Sequence, residues 1–346
     1  MADSTNSEFL GSLRSHLGAK GTPAIARDPV NQPMIRHWCD AMQNANPIYT
    51  DPDRAAKSVH GEIVAPPTML NAWNMLGNIE RLPDPRDPQS NVVSLLDEAG
   101  FTSVVATNCE QEYERYLRLG DELSAVLVLE EISEEKHTGL GIGHFVTTMN
   151  EYRNQHDEVV GRMRFRILKF RPGTGKIAAA PDGAGPPTAP AAKSSPVPPQ
   201  KRRESTLRFG EAAVGEELPA CPIPITTTLI VACAIASRDY QDVHHDRDLA
   251  IERGSPDIFM NILTSSGLCG RYISDWAGPE ALLQSLSIRL GAPNYPGDTM
   301  TMSGSILSKE EHDGTGLVSL GLRGRNALGD HVTGTVKLAL PFAAGV

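Results

Sequence analysis

The feature that most constrains the fold of this chain is a pattern that occurs twice, once in each half of the sequence. In the first half, a Gly-Asp turn within residues 118–123 precedes the alternating run SAVLVLEEI, and in the second half residues 295–300 precede TMSGSIL in the same way. Further on, residues 152–161 and 324–334 each place a polar turn with an Arg-Asn pair between two alternating runs. Alternating strands joined by polar turns are the signal of antiparallel hairpins. We therefore predict two copies of one β-rich unit.

A segment rich in alanine and proline separates the two copies. Residues 178–200 read AAAPDGAGPPTAPAAKSSPVPPQ and have no apolar periodicity, a composition typical of a semi-extended linker. We predict an N-terminal domain over residues 1–175, a linker over 176–203 and a C-terminal domain over 204–346. Each domain is long enough to build a hydrophobic core of its own.

An apolar helical stretch precedes the strands of each half. In the second half, Ser255, Pro256 and Asp257 suit the start of a helix, and Gly278 suits its end. In the first half, residues 65–68 (APPT) precede the stretch MLNAWNMLGNI in a similar way. Each half is thus predicted to hold a short helical segment, a long central helix and several antiparallel strands. This makes the fold class α+β, with a curved sheet wrapped around the central helix of each unit and the two units laid edge to edge in one sheet.

Composition excludes several classes of function. Hydrophobic residues make up 40% and charged residues 21% of the 346, and the net charge of −10 argues against nucleic acid as a partner. We expect neither a membrane-spanning helix nor a signal peptide. The five cysteines are scattered and form no CxxC pair, so neither a zinc site nor a disulfide framework is expected. A reducing cytoplasm is the expected compartment.

The segment RDYQDVHHD, residues 238–246, concentrates the chemistry of the chain. Asp239 and His244 are five positions apart, so a carboxylate and a neutral imidazole can meet across a short turn and share one water molecule. Both are groups that enzymes adapt to proton transfer near neutral pH. A metal site built from His244, His245 and Asp246 is the alternative, but adjacent residues rarely chelate one ion together. A solvated surface turn is the second alternative.

This segment resembles the D-x-N-P-x-H signature of MaoC-like hydratases, which are R-specific (hydratase 2 type) enoyl-CoA hydratases with the hot-dog fold. The resemblance places the aspartate of the family at Asp239 and its histidine at His244, while Gln241 and Asp242 replace the Asn-Pro. Together with GSPDIFMNILT and RYISDWAGP further on, the segment resembles more specifically the actinobacterial hydratases of steroid side-chain β-oxidation. In that subfamily the catalytic and non-catalytic hot-dog subunits are separate chains that pair, which implies a double hot-dog here.

The first half carries a second, altered form of the same motif. Residues 44–49 (NANPIY) keep the Asn-Pro, but Asn44 stands where the family has aspartate and Tyr49 where it has histidine. Asparagine is not a base, and a phenol with a pKa of about 10 is a poor one at neutral pH. We therefore expect one active site per chain, in the second half, with the first half shaping the pocket for the substrate.

The resemblance implies hydration of a trans-2-enoyl-CoA with a bulky, steroid-derived acyl group to the 3-hydroxyacyl-CoA, without a metal or redox cofactor. Backbone N–H groups of Met260 and Asn261, at the N-terminus of the predicted central helix, are the candidate oxyanion donors, although family members often have a glycine there. Arg325 and Asn326 are candidate contacts of the coenzyme A moiety.

Two rival functions and one partner remain open from the sequence. The same residues would serve a 3-hydroxyacyl thioester dehydratase of fatty-acid or polyketide synthesis, and a non-catalytic acyl-CoA-binding hot-dog protein is the rival from another class. The expected partners are the acyl-CoA substrate and a second copy of the chain in a homodimer, with no nucleic acid and no membrane.

Overall fold

The structure is a computed structural model that describes residues 2–78, 86–175, 201–312 and 314–342. The predicted linker covers residues 176–203, of which 176–200 lie outside the described residues. Eleven strands appear in the described part, six before that segment and five after it. The strands are β1 Ala24–Ile25, β2 Ser103–Tyr113, β3 Ser124–Ile132, β4 Lys136–His137, β5 Ile142–Arg153, β6 Val159–Phe170, β7 Glu217–Pro224, β8 Leu282–Leu290, β9 Thr299–His312, β10 Thr315–Asn326 and β11 Gly329–Leu340.

All eleven strands belong to one antiparallel sheet. Its order is β1-β3-β5-β6-β2-β8-β11-β10-β9-β7, with β4 beside β5. Read outwards from its centre, this order repeats the same sequence of strands on both sides. The strand β2 corresponds to β8, β6 to β11, β5 to β10, β3 to β9 and β1 to β7. The two halves meet where β2 pairs with β8, from Asn108 opposite Arg289 to Glu112 opposite Ser285. The predicted continuous sheet of two repeated units is therefore confirmed.

Helices lie between the strands in a matching order. The α-helices are α1 Ala2–Arg14, α2 Gln32–Met42, α3 Pro47–Thr50, α4 Pro52–Ala55, α5 Pro88–Glu98, α6 Thr227–Ala236, α7 Arg247–Glu252 and α8 Ile262–Ala277, and the 3-10 helices are Pro67–Trp73, Phe209–Glu211 and Asp242–His244. Helix α6 begins 195 positions after α2, and α7 begins 195 positions after α4. Helix α8 begins 195 positions after the 3-10 helix Pro67–Trp73. The repeat is thus in strict register through the first part of each half.

The central helix of the second half, α8, begins later than the sequence predicts. Its N-cap is Asn261, whose side-chain oxygen accepts a hydrogen bond from the N–H of Thr264. The prediction of a start at Ser255 is wrong, because the Ser255 hydroxyl instead donates to the Asp257 carbonyl within a turn. The helix ends where predicted, at Gly278, which has φ +96.

The long central helix predicted in the first half is absent from the described residues. Its place is taken by the seven-residue 3-10 helix Pro67–Trp73. The Asn74 side chain donates to the carbonyl of Ala24, and Gly77 has φ +73, so the chain leaves the helical path after about two turns. The two halves therefore differ most at the element that is central to each unit.

Helix α8 packs closely against the first half. A Cβ atom at Gly267 would lie 2.8 Å from the Met42 side chain, and one at Gly270 would lie 2.9 Å from Thr68. The Arg271 guanidinium donates to the carbonyl of Met42, the last residue of α2, over 2.9 Å. The largest group of buried apolar side chains consequently includes residues of both halves. A smaller group of buried apolar side chains, which includes Leu96, Phe101 and Leu129, lies within the first half alone.

Among the residues that the structure describes, no helix combines the length and the apolar character needed to cross a membrane.

Candidate active site

The candidate active site lies on the turn that follows α6. Arg238 leaves the helix with φ +59, Asp239 follows, and the 3-10 helix Asp242–His244 brings the imidazole back towards the carboxylate. The Nε2 atom of His244 lies 3.6 Å from Oδ2 of Asp239. This distance is longer than a direct hydrogen bond and suits one water molecule shared by both groups.

The orientation of His244 is set by the backbone. Its Nδ1 atom lies 2.7 Å from the carbonyl oxygen of Phe259. Because a carbonyl only accepts, Nδ1 carries the hydrogen, and in the neutral imidazole Nε2 is a free acceptor that faces Asp239. The Phe259 ring meets the imidazole edge to face at 5.1 Å.

Burial keeps the imidazole neutral. It lowers the pKa of His244 below the ordinary value for histidine, although the Asp239 carboxylate acts in the opposite direction. At neutral pH the site therefore presents a carboxylate and a neutral nitrogen acceptor, the arrangement that general acid–base catalysis on a bound water requires.

Asn261 joins this pair to the central helix. Its Nδ2 donates to Oδ2 of Asp239 and to the hydroxyl of Ser237, both over 3.0 Å, while its Oδ1 caps α8. The side chain is buried. Sequence reasoning selected Asn261 for its backbone N–H only. The role of its side chain was missed, although an asparagine before an apolar helical run is a recognisable N-cap signal.

The two backbone donors predicted for the oxyanion differ in availability. The N–H of Met260 donates to the carbonyl of Asn294 over 3.1 Å, so it is not free to bind a substrate oxygen in this structure. The N–H of Asn261 has no partner among the described residues and lies directly before the first turn of α8. A helix N-terminus favours negative charge. The candidate oxyanion donors are therefore the N–H of Asn261 and the N–H groups of the first turn of α8.

The predicted contacts of coenzyme A have other partners. Asn326 is buried, and its Nδ2 donates to the Pro293 carbonyl and to Asn294, while its Oδ1 accepts from two N–H groups of the β10–β11 turn. Its amide is therefore occupied in holding that turn. Arg325 is exposed and lies 3.5 Å from the Asp330 carboxylate, a surface pair that leaves the guanidinium accessible.

The neighbouring polar residues support the turn. Asp246 caps α7 through the N–H of Leu249, Asp242 forms an ion pair with Arg253, and an imidazole nitrogen of His245 lies 3.2 Å from the Tyr240 carbonyl. The described residues hold no cluster of three or more histidine, cysteine or acidic side chains placed to bind a metal ion. His244, His245 and Asp246 do not form such a set in the structure.

The matching turn of the first half has a similar backbone conformation, but its two key side chains are buried. Gln43 has φ +54, as Arg238 has φ +59, and Asn44 and Tyr49 stand 195 positions before Asp239 and His244. Both residues are buried, and desolvation raises the pKa of Tyr49 well above its ordinary value. The cavity they border, against α8, has a volume of only about 10 Å³.

Asn46 closes this first-half turn further. Its Nδ2 donates to the hydroxyl of Ser274 and to the carbonyl of Pro279, both in the second half. The full-length α8 thus fills the space beside the first-half turn. On the second-half turn, the Arg238 side chain instead contacts the backbone of Met75 and Leu76, which follow the short 3-10 helix.

A further buried histidine supports the start of α8. His331 on β11 lies 2.8 Å from the Ser265 hydroxyl through Nε2 and 2.8 Å from the Ala292 carbonyl through Nδ1. Burial lowers the pKa of His331 to about 4. No local pattern indicates this contact, because Ser265 and His331 are 66 positions apart.

Solved structures similar to this one show the fold class. A MaoC-like dehydratase aligns with a TM-score of 0.70 and 22% identity over 96% of this chain and 100% of its own. A conserved hypothetical protein of Mycobacterium tuberculosis, described as a double hot-dog fold, aligns with a TM-score of 0.60 and 15% identity over 92% of this chain and 96% of its own. The predicted α+β, double hot-dog fold is confirmed.

Sequence comparison then identifies the family. Residues 15–163 match the model of a FAS1-like dehydratase domain region. The 3-oxo-4,17-pregnadiene-20-carboxyl-CoA hydratase beta subunit of Mycobacterium tuberculosis is 51% identical over 127 residues, which is 37% of this chain and 95% of that protein. The chain belongs to the MaoC-like family of hydratases and dehydratases.

The alpha subunit of the same mycobacterial hydratase is also similar. It is 44% identical over 172 residues, which cover 47% of this chain and 52% of the subunit. The chain therefore spans about half the length of that relative.

Proposed function

We propose that this protein hydrates a trans-2-enoyl-CoA with a bulky, steroid side-chain acyl group to the 3-hydroxyacyl-CoA, in a β-oxidation type of catabolism. The observation that carries the proposal is the 3.6 Å separation between the Asp239 carboxylate and the acceptor nitrogen of His244. Both lie beside the N-terminus of the central helix. The resemblance to the two subunits of the mycobacterial hydratase supports the choice of substrate class.

In the proposed reaction, Asp239 and His244 hold one water molecule between them. The water oxygen bonds to the β-carbon, and the proton it releases passes through the pair to the α-carbon, so that both side chains return to their initial state. Negative charge develops on the thioester oxygen in between. The Asn261 N–H and the first turn of α8 would stabilise that charge.

The shortened helix of the first half supports a bulky acyl group. The 16-residue α8 borders the first-half turn, whereas its counterpart in the repeat is the seven-residue helix Pro67–Trp73. Met75 and Leu76, which follow that helix, are half-buried apolar residues that contact the catalytic turn through Arg238. We propose that this region forms the wall of the acyl site.

The domain arrangement follows from the same proposal. We propose that residues 1–175 form a substrate-binding hot-dog and residues 204–346 a catalytic one, joined by 176–203. The alpha-subunit match includes 172 aligned residues, more than the 143 residues of 204–346, so it extends beyond the second half. The chain would thus combine in one polypeptide what the mycobacterial relatives carry as two subunits.

We further propose a cytoplasmic location and a homodimer of double hot-dog chains. All five cysteines lie within the described residues, and each is buried with a free thiol, which suits a reducing compartment. Analytical ultracentrifugation tests the homodimer, and a single species at the monomer mass would contradict it.

The test is the loss of ultraviolet absorbance of the conjugated enoyl thioester. The purified protein receives a steroid side-chain enoyl-CoA, crotonyl-CoA or a long straight-chain enoyl-CoA. We expect the steroid substrate to have the highest kcat/KM, and Asp239→Asn and His244→Ala to abolish the signal. A preference for the straight chains would overturn the steroid assignment and leave the hydratase. Binding of every substrate without any turnover would instead support an acyl-CoA-binding protein.

A dehydratase acting in the opposite direction is the second candidate. The match of residues 15–163 to a FAS1-like dehydratase domain region favours it. Such an enzyme would turn over 3-hydroxyacyl thioesters of an acyl carrier protein faster than those of coenzyme A. Equal or lower activity on the carrier-protein thioesters would eliminate this candidate.

A further inference from the structure

Arg238, the residue directly before Asp239, has an unusual backbone conformation. It is one of three non-glycine residues with positive φ in the part of the chain that the structure describes, the others being Gln43 and Asp157. A side chain in this left-handed region costs on the order of 1–2 kcal/mol, which glycine avoids. The backbone conformation alone therefore does not favour an arginine at this position.

The Arg238 side chain reaches from the catalytic turn to the first half of the molecule. Its Nε donates to the carbonyl of Met75 over 2.9 Å, and its Nη2 lies 3.5 Å from the carbonyl of Leu76. These two carbonyls follow the short helix Pro67–Trp73. The guanidinium has no carboxylate partner among the described residues, so its hydrogen bonds to the backbone of residues 75–76 are the polar contacts that hold it.

The backbone of the first half is shaped to receive this side chain. Gly77 has φ +73, and a Cβ atom there would lie 3.4 Å from Nη2 of Arg238 and 3.6 Å from the Tyr240 ring. Residues 75–77 thus lie directly against the two residues that flank Asp239 in the chain. Any outward shift of this segment would break the contacts with Arg238.

The matching position in the first half shows that the turn itself does not need an arginine. Gln43 has nearly the same φ, +54, and is exposed. Its backbone N–H bonds to carbonyls at the end of α2, as a helix C-cap requires, without a link across the molecule. The long cationic side chain occurs only on the catalytic turn, opposite the shortened helix.

We propose that Arg238 is a positioning residue that fixes the wall of the acyl site, residues 75–77, relative to Asp239 and so sets the preference for bulky acyl groups. This inference depends on the proposed hydratase function. A bulky acyl group contacts both the wall and the reacting carbons, so its alignment requires a fixed distance between them. A short acyl group does not reach the wall.

The experiment compares Arg238→Gly, Arg238→Lys and the matched control Gln43→Gly. Glycine adopts φ +59 without strain, so Arg238→Gly removes the contacts and keeps the turn. KM and kcat are measured for a steroid side-chain enoyl-CoA and for crotonyl-CoA. We expect Arg238→Gly to raise KM for the steroid substrate by about tenfold or more and to change crotonyl-CoA kinetics by less than about threefold. Arg238→Lys, which keeps one donor, should recover part of the loss, and Gln43→Gly should leave both substrates unchanged.

An equal loss on both substrates would overturn the proposal, since it would show a general structural role, and so would unchanged kinetics for both. Wild-type activity on the two substrates, together with its loss in Asp239→Asn, tests the proposed function separately. A wild-type protein without activity on either substrate would refute the hydratase and this inference together. If the wild type is active and Arg238→Gly changes the kinetics of both substrates equally or not at all, this inference alone is refuted.

Discussion

The turn that carries Asp239 and His244 and the turn that carries Asn44 and Tyr49 share one backbone plan. Each follows a helix, each passes through a non-glycine residue with φ near +55, and each precedes the element central to its unit. They differ in what surrounds them. The first-half turn is uncharged, bordered by a cavity of about 10 Å³ and bonded to residues at the end of α8. The second-half turn holds a carboxylate and an imidazole, and its Arg238 contacts the backbone that follows a helix less than half as long.

This difference indicates that a repeated fold can divide its tasks between two copies. The short helix belongs to the first half, and the residues after it, Met75 and Leu76, contact Arg238 on the turn of the second half. The full-length helix belongs to the second half and closes the turn of the first. Each half therefore supplies part of the surroundings of the other half's turn.

The largest expected effect concerns the catalytic pair itself. Asp239→Asn or His244→Ala should lower kcat by about 10²–10⁴, because each removes a group that binds or deprotonates the water. The thioester absorbance assay measures the change. Asn44→Ala and Tyr49→Phe are the matched variants of the other turn and should retain wild-type kcat. If the Asp239 and His244 variants kept their activity while the Asn44 and Tyr49 variants lost it, the active turn would be that of the first half.

The next largest effect concerns acid, which should destabilise the surroundings of His331 in the second half more than the first-half turn. Unfolded histidine binds its proton near pH 6.5, whereas burial lowers the pKa of His331 to about 4. Between these values the unfolded chain binds more protons, so the unfolding free energy falls as the pH drops through that window, by about 3 kcal/mol for this residue alone. Urea unfolding at pH 7 and pH 4 measures the loss.

The control for this prediction is a histidine replacement at the surface. His331→Gln should flatten the pH dependence, while His156→Gln, at an exposed position, should leave it as in the wild type. The first-half turn contributes little to this window, because burial raises the pKa of Tyr49 and its phenol stays neutral. An equal slope in the two variants would show that His331 is not the source.

Restoring the family residues in the first half should not create a second active site. In an Asp239→Asn background, the double variant Asn44→Asp/Tyr49→His should remain inactive, because α8 leaves no room for a substrate there. A carboxylate in place of a buried amide should also lower the unfolding free energy by about 1–3 kcal/mol. Activity assays and denaturant titration measure the two effects. Recovery of hydration would show that the first-half turn is open in solution.

The smallest expected effect distinguishes capping from positioning. Asn261→Ala removes both the N-cap of α8 and a hydrogen bond to Asp239, so stability should fall by about 1 kcal/mol and kcat by about tenfold. Asn31→Ala removes the equivalent cap of α2, where Asn31 accepts from the N–H of Met34. That control should lose similar stability and keep its kcat. Equal kcat in the two variants would refute a role for the Asn261 side chain in catalysis.

Local patterns in the sequence predict much of the fold. Alternating runs and Gly-Asp turns indicate the strands and their repeated order, because strand and turn preferences act over a few residues. The length of the first-half helix is not predictable in this way. The stretch MLNAWNMLGNI has an apolar pattern that suits a helix, but contacts of Asn74 with Ala24 and a positive φ at Gly77 redirect the chain.

The residues of the candidate site fall into the same two groups: some are predicted by a local motif, and others are brought together only by the fold. Asp239 and His244 stand five positions apart in one turn, so a motif predicts their proximity. Arg238 and Met75 are 163 positions apart and meet only through the pairing of the halves. Ser265 and His331 are 66 positions apart and meet only because α8 packs near β11 within the second half. The Met260 N–H illustrates the opposite error, since its position in the sequence suits an oxyanion donor while a loop at Asn294 already accepts its hydrogen bond.

The pairing of β2 with β8 has a consequence for the amounts in which the two halves are made. In the proposed function, the turn with Asp239 and His244 acts beside the wall that the other half supplies. In a single polypeptide that other half is present at an effective concentration on the order of millimolar, whatever the concentration of the protein. Specific activity should therefore persist at high dilution, and synthesis yields the two halves in equal number without any need to balance the expression of two genes.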